Sequence, residues 1–183
     1  MRWPILKAKH ALETSGVIVY PTETVWGLGC DPFDEAAVNR ILDIKRRDAH
    51  KGLILVGANI QQFEFLLNDI EPDKRAELES RWPGPFTYLV PHKEMILPLV
   101  YGRFDTVAIR VSSHPMVQQL CEQFGGPIVS TSANYSGQPT VRNAVQARLL
   151  LGSQVDFILP GPVGLANGPS KIVDLETGRI IRN

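Results

Sequence analysis

The sequence predicts an α/β domain with a mixed, twisted sheet and flanking helices. Three observations carry this. Short apolar runs recur between amphipathic stretches of helical period. The two kinds of segment alternate irregularly, so parallel and antiparallel neighbours are both expected. No repeat, low-complexity tract or linker interrupts the pattern, and 183 residues suit one domain spanning 1–183. A chain of this length buries roughly 70% of its unfolded surface and needs no staple.

Ile5 to Thr14 reads as a short helix, with Ile5, Ala8, Ala11 and Leu12 on one face and Gly16 as its stop. Val17 to Tyr20 is a buried strand ended by Pro21. From Pro21 to Cys30 polar and apolar residues alternate around two glycines. If extended, this segment points Thr22 and Thr24 to one side and Glu23 to the other. It is either a plain turn and strand or a ligand-facing run of hydroxyls. Asp34 to Lys45 is the clearest helix, capped by Asp34 and striped by Ala37, Val38, Ile41 and Leu42. Leu53 to Val56 is wholly apolar and therefore central in the sheet.

Asn59 to Leu67 and Pro72 to Arg81 read as two further helices, the second with proline in its first turn. Trp82-Pro83-Gly84-Pro85 is a rigid turn into the strand Phe86 to Val90. Met95 to Tyr101 is ambiguous. Thr106 to Val111 is a strand carrying Arg110 among apolar residues. That arginine is either at an edge reaching solvent or a fork for carboxylate or phosphate. Met116 to Phe124 is a helix, Ile128-Val129 a buried strand end, Asn143 to Leu151 a helix and Val155 to Leu159 a strand. Lys171 to Asp174 and Arg179 to Arg182 flank Glu176-Thr177-Gly178 as a hairpin.

Two stretches concentrate the chemistry. Lys45 to Lys51 holds four strong cations and His50 at a helix end. It is either a solvated tail complementing the helix dipole or an anion clamp. Lys45 and Arg47 share a side only where the chain is extended, which a helix ending at Lys45 permits. Gly125 to Gly137 runs from a strand into Ser130, Thr131, Ser132, Asn134 and Ser136. These groups suit phosphate or carboxylate oxygens in the crevice beyond a strand, or else form a polar turn with a helix cap.

The composition and missing motifs exclude several classes. Formal net charge is +0, which gives no bulk attraction to nucleic acid or membrane. Cys30 and Cys121 are far apart and read as buried thiols rather than a zinc or redox pair. His10, His50, His92 and His114 lack ligand spacing and read as surface residues, so no protein metal site is expected. P-loop, dinucleotide, H-E-x-x-H and G-x-S-x-G patterns are absent. No signal peptide or spanning run is seen, and the cytoplasm is the expected compartment.

Lys45-x-Arg47 with Lys51-Gly52, and Ser130-Thr131-Ser132-Ala133-Asn134, resemble the K-x-R and S-x-N signatures of the YrdC-like family. Pro21-Thr22-Glu23-Thr24 with Gly27-Leu28, Arg81 to Thr87, Ala108-Ile109-Arg110-Val111 and Pro169-Ser170 match further family positions in order, from Val17 to Arg182. The chain looks like the short form of the family, ending where longer relatives add a linker and a second domain.

The resemblance implies a twisted open sheet with a concave basic cavity. It implies threonylcarbamoyl-AMP synthesis from L-threonine, bicarbonate and ATP, with pyrophosphate released. The product would serve position 37 of tRNAs that read codons starting with A, through separate transfer proteins. ATP is thus a substrate, with Mg2+ held mainly by phosphates and water. By position, Lys45 and Arg47 take the phosphates as the catalytic pair, helped by Lys51. Thr106, Ser132, Asn134 and Thr140 bind nucleotide, and Arg182 lies near a nucleotide-contacting arginine. Thr22, Arg110, Ser130 and Ser170 hold threonine or its carbamoyl group.

Two departures stand out: Asp48 where a proline is usual, and Val56 where longer relatives carry a histidine near the threonine pocket. The first puts a negative charge beside the clamp and suggests a more mobile corner. Lys45 and Arg47 are both expected to be exposed. The competing reading is a double-stranded RNA or tRNA-binding module without chemistry, using the Lys45 to Lys51 cluster. A third is a hydrolase or regulatory domain of the same fold.

Overall fold

The computed structural model describes residues 2–166 and 168–183. A nine-stranded mixed sheet runs through them in the order β7-β1-β2-β6-β3-β5-β4-β8-β9. The strands are β1 Ile18–Pro21, β2 Trp26–Gly29, β3 Ile54–Gly57, β4 Phe86–Pro91, β5 Thr106–Val111, β6 Ile128–Ser132, β7 Phe157–Ile158, β8 Lys171–Asp174 and β9 Ile180–Arg182. The helices are α1 Arg2–Glu13, α2 Glu35–Lys45, α3 Glu64–Leu67, α4 Pro72–Arg81, α5 Pro98–Tyr101, α6 Pro115–Phe124 and α7 Ala144–Leu151. No described helix is long and apolar enough to cross a membrane.

β3 lies in the middle of the sheet, antiparallel to β6 and parallel to β5, as its unbroken apolar run requires. β5 is antiparallel to β4, so Arg110 sits on an interior strand and not at an edge. The two-residue alternation of each strand divides the sheet's faces. On one face Val19, Trp26, Leu28, Leu55, Ile109 and Val129 join Val38, Ile41, Leu66, Leu78 and Val100 in the larger core. On the other, Ile18, Tyr20 and Ile128 pack with Ile5, Ala8, Leu12, Leu120 and Cys121 under α1 and α6. This second cover is partial. Ile54 and Val56 border it, and with Arg110, Ser130 and Ser132 they line an open cavity.

Several expected boundaries move. The hydroxyl run does not lie past the end of its strand: β6 continues through Ser132, because Ser130 pairs with Ile54, Thr131 with Leu28 and Ser132 with Gly27. The helix expected over Asn59–Leu67 is a 3-10 turn, Ile60–Phe63, followed by one α-turn. The ambiguous segment becomes α5, and the strand expected over Val155–Leu159 shortens to Phe157–Ile158. Both cysteines are buried and free. Burial pushes the Cys121 thiol up to about 12. His114 is buried rather than exposed, its Nε2 lying 3.2 Å from the Pro162 carbonyl oxygen.

Helix α2 aims the site. Asp34 caps it by accepting a hydrogen bond from the Ala37 N–H at 3.0 Å. Its other end stops at Lys45 because Arg46 adopts a left-handed conformation, φ 49 and ψ 48. Replacing Asp34 with alanine is expected to lower unfolding free energy by about 1 kcal/mol in urea titrations, the usual worth of such a cap.

Candidate functional site

The cavity holds about 680 Å³. Of the residues singled out in the sequence, Thr22, Arg47, Arg110, Ser130, Ser132, Thr140, Ser170 and Arg182 line it. Thr24 joins Thr22 in the lining while Glu23 does not, but the segment is not the extended run assumed: residues 22–25 form a turn closed by the Thr22 N–H to Val25 carbonyl bond of 3.0 Å. Thr87, Gly52 and the backbone around Pro169 also line it. Their signal was only their place inside matched motifs. Three arginines and no carboxylate occur among the described lining residues.

Lys45, Lys51, Thr106 and Asn134 stand outside the lining. Lys45 is the main correction: it is 2% exposed, not a surface clamp. Its ammonium donates to the Ser132 and Asn134 carbonyl oxygens and to Asn134 Oδ1, the latter two at 3.0 Å. All three of its protons are thereby used. The Ser132 hydroxyl donates to the same Asn134 Oδ1 at 2.7 Å, and Ser136 N–H donates to the Lys45 carbonyl oxygen. Lys45 therefore fixes the strand-to-turn corner rather than reaching a ligand directly. Burial, reinforced by the nearby Arg47 charge, brings the ammonium down to about 8.

Arg47 follows on the next turn of chain. Its Nη2 donates to the Gly52 carbonyl oxygen at 2.9 Å, while its Nε is buried with no partner among the described residues. A buried donor left open in this way is the exception in folded proteins. Gly52 has φ +63, and a Cβ there would lie 3.1 Å from the Tyr101 carbonyl oxygen, so glycine is required. Asp48 closes the intervening turn by accepting from the His50 N–H at 2.9 Å, a cap where a proline would supply stiffness. Lys51 is exposed, and Thr106, on the same side of β5 as Arg110 but at the strand's start, is not among the lining residues.

At the other end Arg110 and Glu23 form a buried ion pair, Nη2 to Oε1 at 2.9 Å, with side chains 14% and 11% exposed. Arg110 Nε donates to the Gly84 carbonyl oxygen at 2.9 Å, and Nη1 makes no hydrogen bond to the described residues. Glu23 Oε1 also accepts from the Ser112 hydroxyl and the Ser113 N–H. Burial alone would raise the Glu23 carboxyl, but Arg110 and these donors outweigh it and hold the group below 4.5. Sequence reasoning missed this pair; an arginine in an apolar strand demands a partner, but nothing in the chain order names which. Arg182 donates through Nη2 to the Ser170 carbonyl oxygen at 2.8 Å, and Thr87 and Ser170 share a hydroxyl bond of 2.7 Å. Burial and then the neighbouring Arg110 charge lower the Arg182 guanidinium, which places two cations at the same end.

Fold and cavity together define an α/β protein that presents arginines and hydroxyls from the open face of its sheet. A Sua5/YciO/YrdC family model, described as "Telomere recombination", matches residues 10–183. The threonylcarbamoyl-AMP synthase of Saccharophagus degradans is 53% identical over 173 residues, covering 94% of this chain and 91% of the relative. That of Pseudomonas fluorescens strain Pf0-1 is 48% identical over 180 residues, covering 98% and 97%. Among solved structures, P. abyssi Sua5 complexed with L-threonine superposes with a TM-score of 0.90 at 32% identity. The superposition covers 98% of this chain and 53% of that one, so the chain spans about half the length of Sua5. E. coli YciO gives 0.86 at 26% identity, covering 100% and 90%. The chain belongs to the Sua5/YciO/YrdC family.

Two outcomes test this electrostatic frame. Glu23→Ala should cost about 3 kcal/mol in urea unfolding, because it strands a buried guanidinium. Since the folded Glu23 carboxyl lies below 4.5, its contribution is present above that pH and is lost as pH falls; the variant should show a shallower acid slope. For Lys45 the folded ammonium lies below its ordinary 10.5, so the unfolded chain holds the proton longer. Wild-type stability, measured against Lys45→Met, should therefore rise as pH increases from about 8 towards 10.5.

Proposed function

We propose that the protein is a threonylcarbamoyl-AMP synthase: L-threonine, bicarbonate and ATP yield threonylcarbamoyl-AMP, pyrophosphate and water. The observation that carries this is the near-full-length identity, 53% and 48%, to relatives bearing that name, joined to an arginine-lined cavity. A non-catalytic RNA-binding module is not favoured, since those relatives are of matching length and are named as enzymes. The product would go on to tRNA through other proteins.

The reaction brings anions together. A carbamate oxygen must approach the α-phosphorus of ATP in line with the departing pyrophosphate, so fixed cations have to offset phosphate charge. Arg47, the lining cation at that end, supplies this charge. Lys45 acts behind it, supplying charge and, with Asn134, holding Ser132 in place for the nucleotide, with Thr140 also in the lining. Thr106 and Lys51 fit poorly as direct contacts, because neither lines the cavity. Arg110 keeps its Nη1 edge for the threonine carboxylate, since Gly84 and Glu23 occupy the rest of the fork. Thr22, Ser130 and Ser170 surround that end, and Arg182, expected to contact the nucleotide, bonds to Ser170 beside it. Magnesium would arrive with ATP. With no carboxylate among the described lining residues, phosphates and water would hold it.

Pyrophosphate release by the purified protein should require threonine and bicarbonate together. Arg47→Ala should lose about 100-fold, the scale of removing one donor aimed at developing charge. Release without threonine, or full activity in Arg47→Ala, would count against the reading. Arg110→Ala should raise the threonine requirement far more than the ATP requirement.

A further inference from the structure

Tyr20 is fully buried, outside the cavity, and is not one of the residues the reaction needs by position. It lies on β1, yet its hydroxyl donates to Ser130 Oγ at 2.6 Å on β6, with β2 between the two strands. The ring can cross because β2 carries Gly27 and Gly29 on that face. A Cβ on Gly29 would come 2.8 Å from Tyr20 Cε1, and one on Gly27 would come 3.3 Å from Tyr20 Cζ. Trp26 and Leu28, the alternate residues of the same strand, point into the larger core. The strand is thus bare on the one side where a tyrosine must lie across it.

The bond sets the polarity of Ser130. A hydroxyl has one proton and two lone pairs. The phenolic proton occupies one lone pair, so the Ser130 proton is not spent on Tyr20 and is free to be donated into the cavity the residue lines. Thr22 is fixed in the opposite sense: its hydroxyl donates to the Val25 carbonyl oxygen at 2.8 Å, so it offers only lone pairs to the cavity. One hydroxyl gives a proton and the other receives one. An amino acid, with carboxylate or carbamate oxygens beside N–H groups, matches that pair.

We propose that Tyr20 is a positioning residue that keeps the Ser130 proton available as a hydrogen-bond donor to the carboxylate of the amino-acid substrate. This rests on the synthase reading. Tyr20→Phe keeps the ring and its packing and removes only the donor. Calorimetric titration of the full chain with L-threonine and, separately, with ATP should show threonine affinity falling about 5-fold in Tyr20→Phe, as for loss of one net hydrogen bond. ATP affinity should stay within about 2-fold. Ser130→Ala should lose a similar or larger factor. The double variant should match Ser130→Ala alone, because Tyr20 acts only through that hydroxyl; a general loosening of the fold would instead give additive losses. Additive losses, an equal loss for ATP, or unchanged threonine affinity in Tyr20→Phe would overturn the inference while wild-type pyrophosphate release stands. A wild-type protein that neither binds threonine nor releases pyrophosphate would overturn the synthase reading and this inference together.

Discussion

A buried ammonium must find three acceptors or give up its charge, and Lys45 finds them on one corner of another strand. That requirement ties the end of α2 to the turn after β6, two segments far apart in sequence. Everything at the Arg47 end of the cavity follows from it. The left-handed Arg46 turns the chain out of the helix, Arg47 enters the cavity, and Ser132 and Asn134 are held by the same hydrogen bonds. The K-x-R and S-x-N signatures are therefore two halves of one joint rather than two separate contacts.

The Arg110 end of the cavity rests on a different balance. Arg110 is a cation on an interior strand, and Glu23 comes from a turn between β1 and β2 to neutralise part of it. The pair uses most of the guanidinium and most of one carboxylate oxygen. What remains is directional: a single open edge of a fork instead of a freely rotating charge. Nearby hydroxyls are similarly committed. A site built this way recognises shape and proton pattern as well as charge, since each group has already spent the bonds it could have made elsewhere.

Much of this architecture was legible in the chain. The unbroken run Leu53–Val56 marked the central strand, and Asp34 and the apolar stripe after it marked α2. What escaped depended on contacts between distant segments. Nothing local distinguishes a lysine at a helix end that meets solvent from one that meets carbonyls of a later strand; Lys45 reads as exposed until the strand is in place. The hydroxyls of Ser130 to Ser132 suggested a loop because polar residues seldom fill a central strand, and only the cavity beside it explains them. His114 misled for the same reason.

The lining runs from Thr22 to Arg182 and draws on β2, β3, β4, β5, β6 and β9 with the turns between them. No contiguous fragment carries the whole binding surface. Occupancy of the cavity is consequently coupled to the cooperative unit as a whole and not to a detachable loop. A ligand that enters adds its binding energy to the stability of the entire sheet. Such a molecule makes its own melting transition a gauge of what it binds.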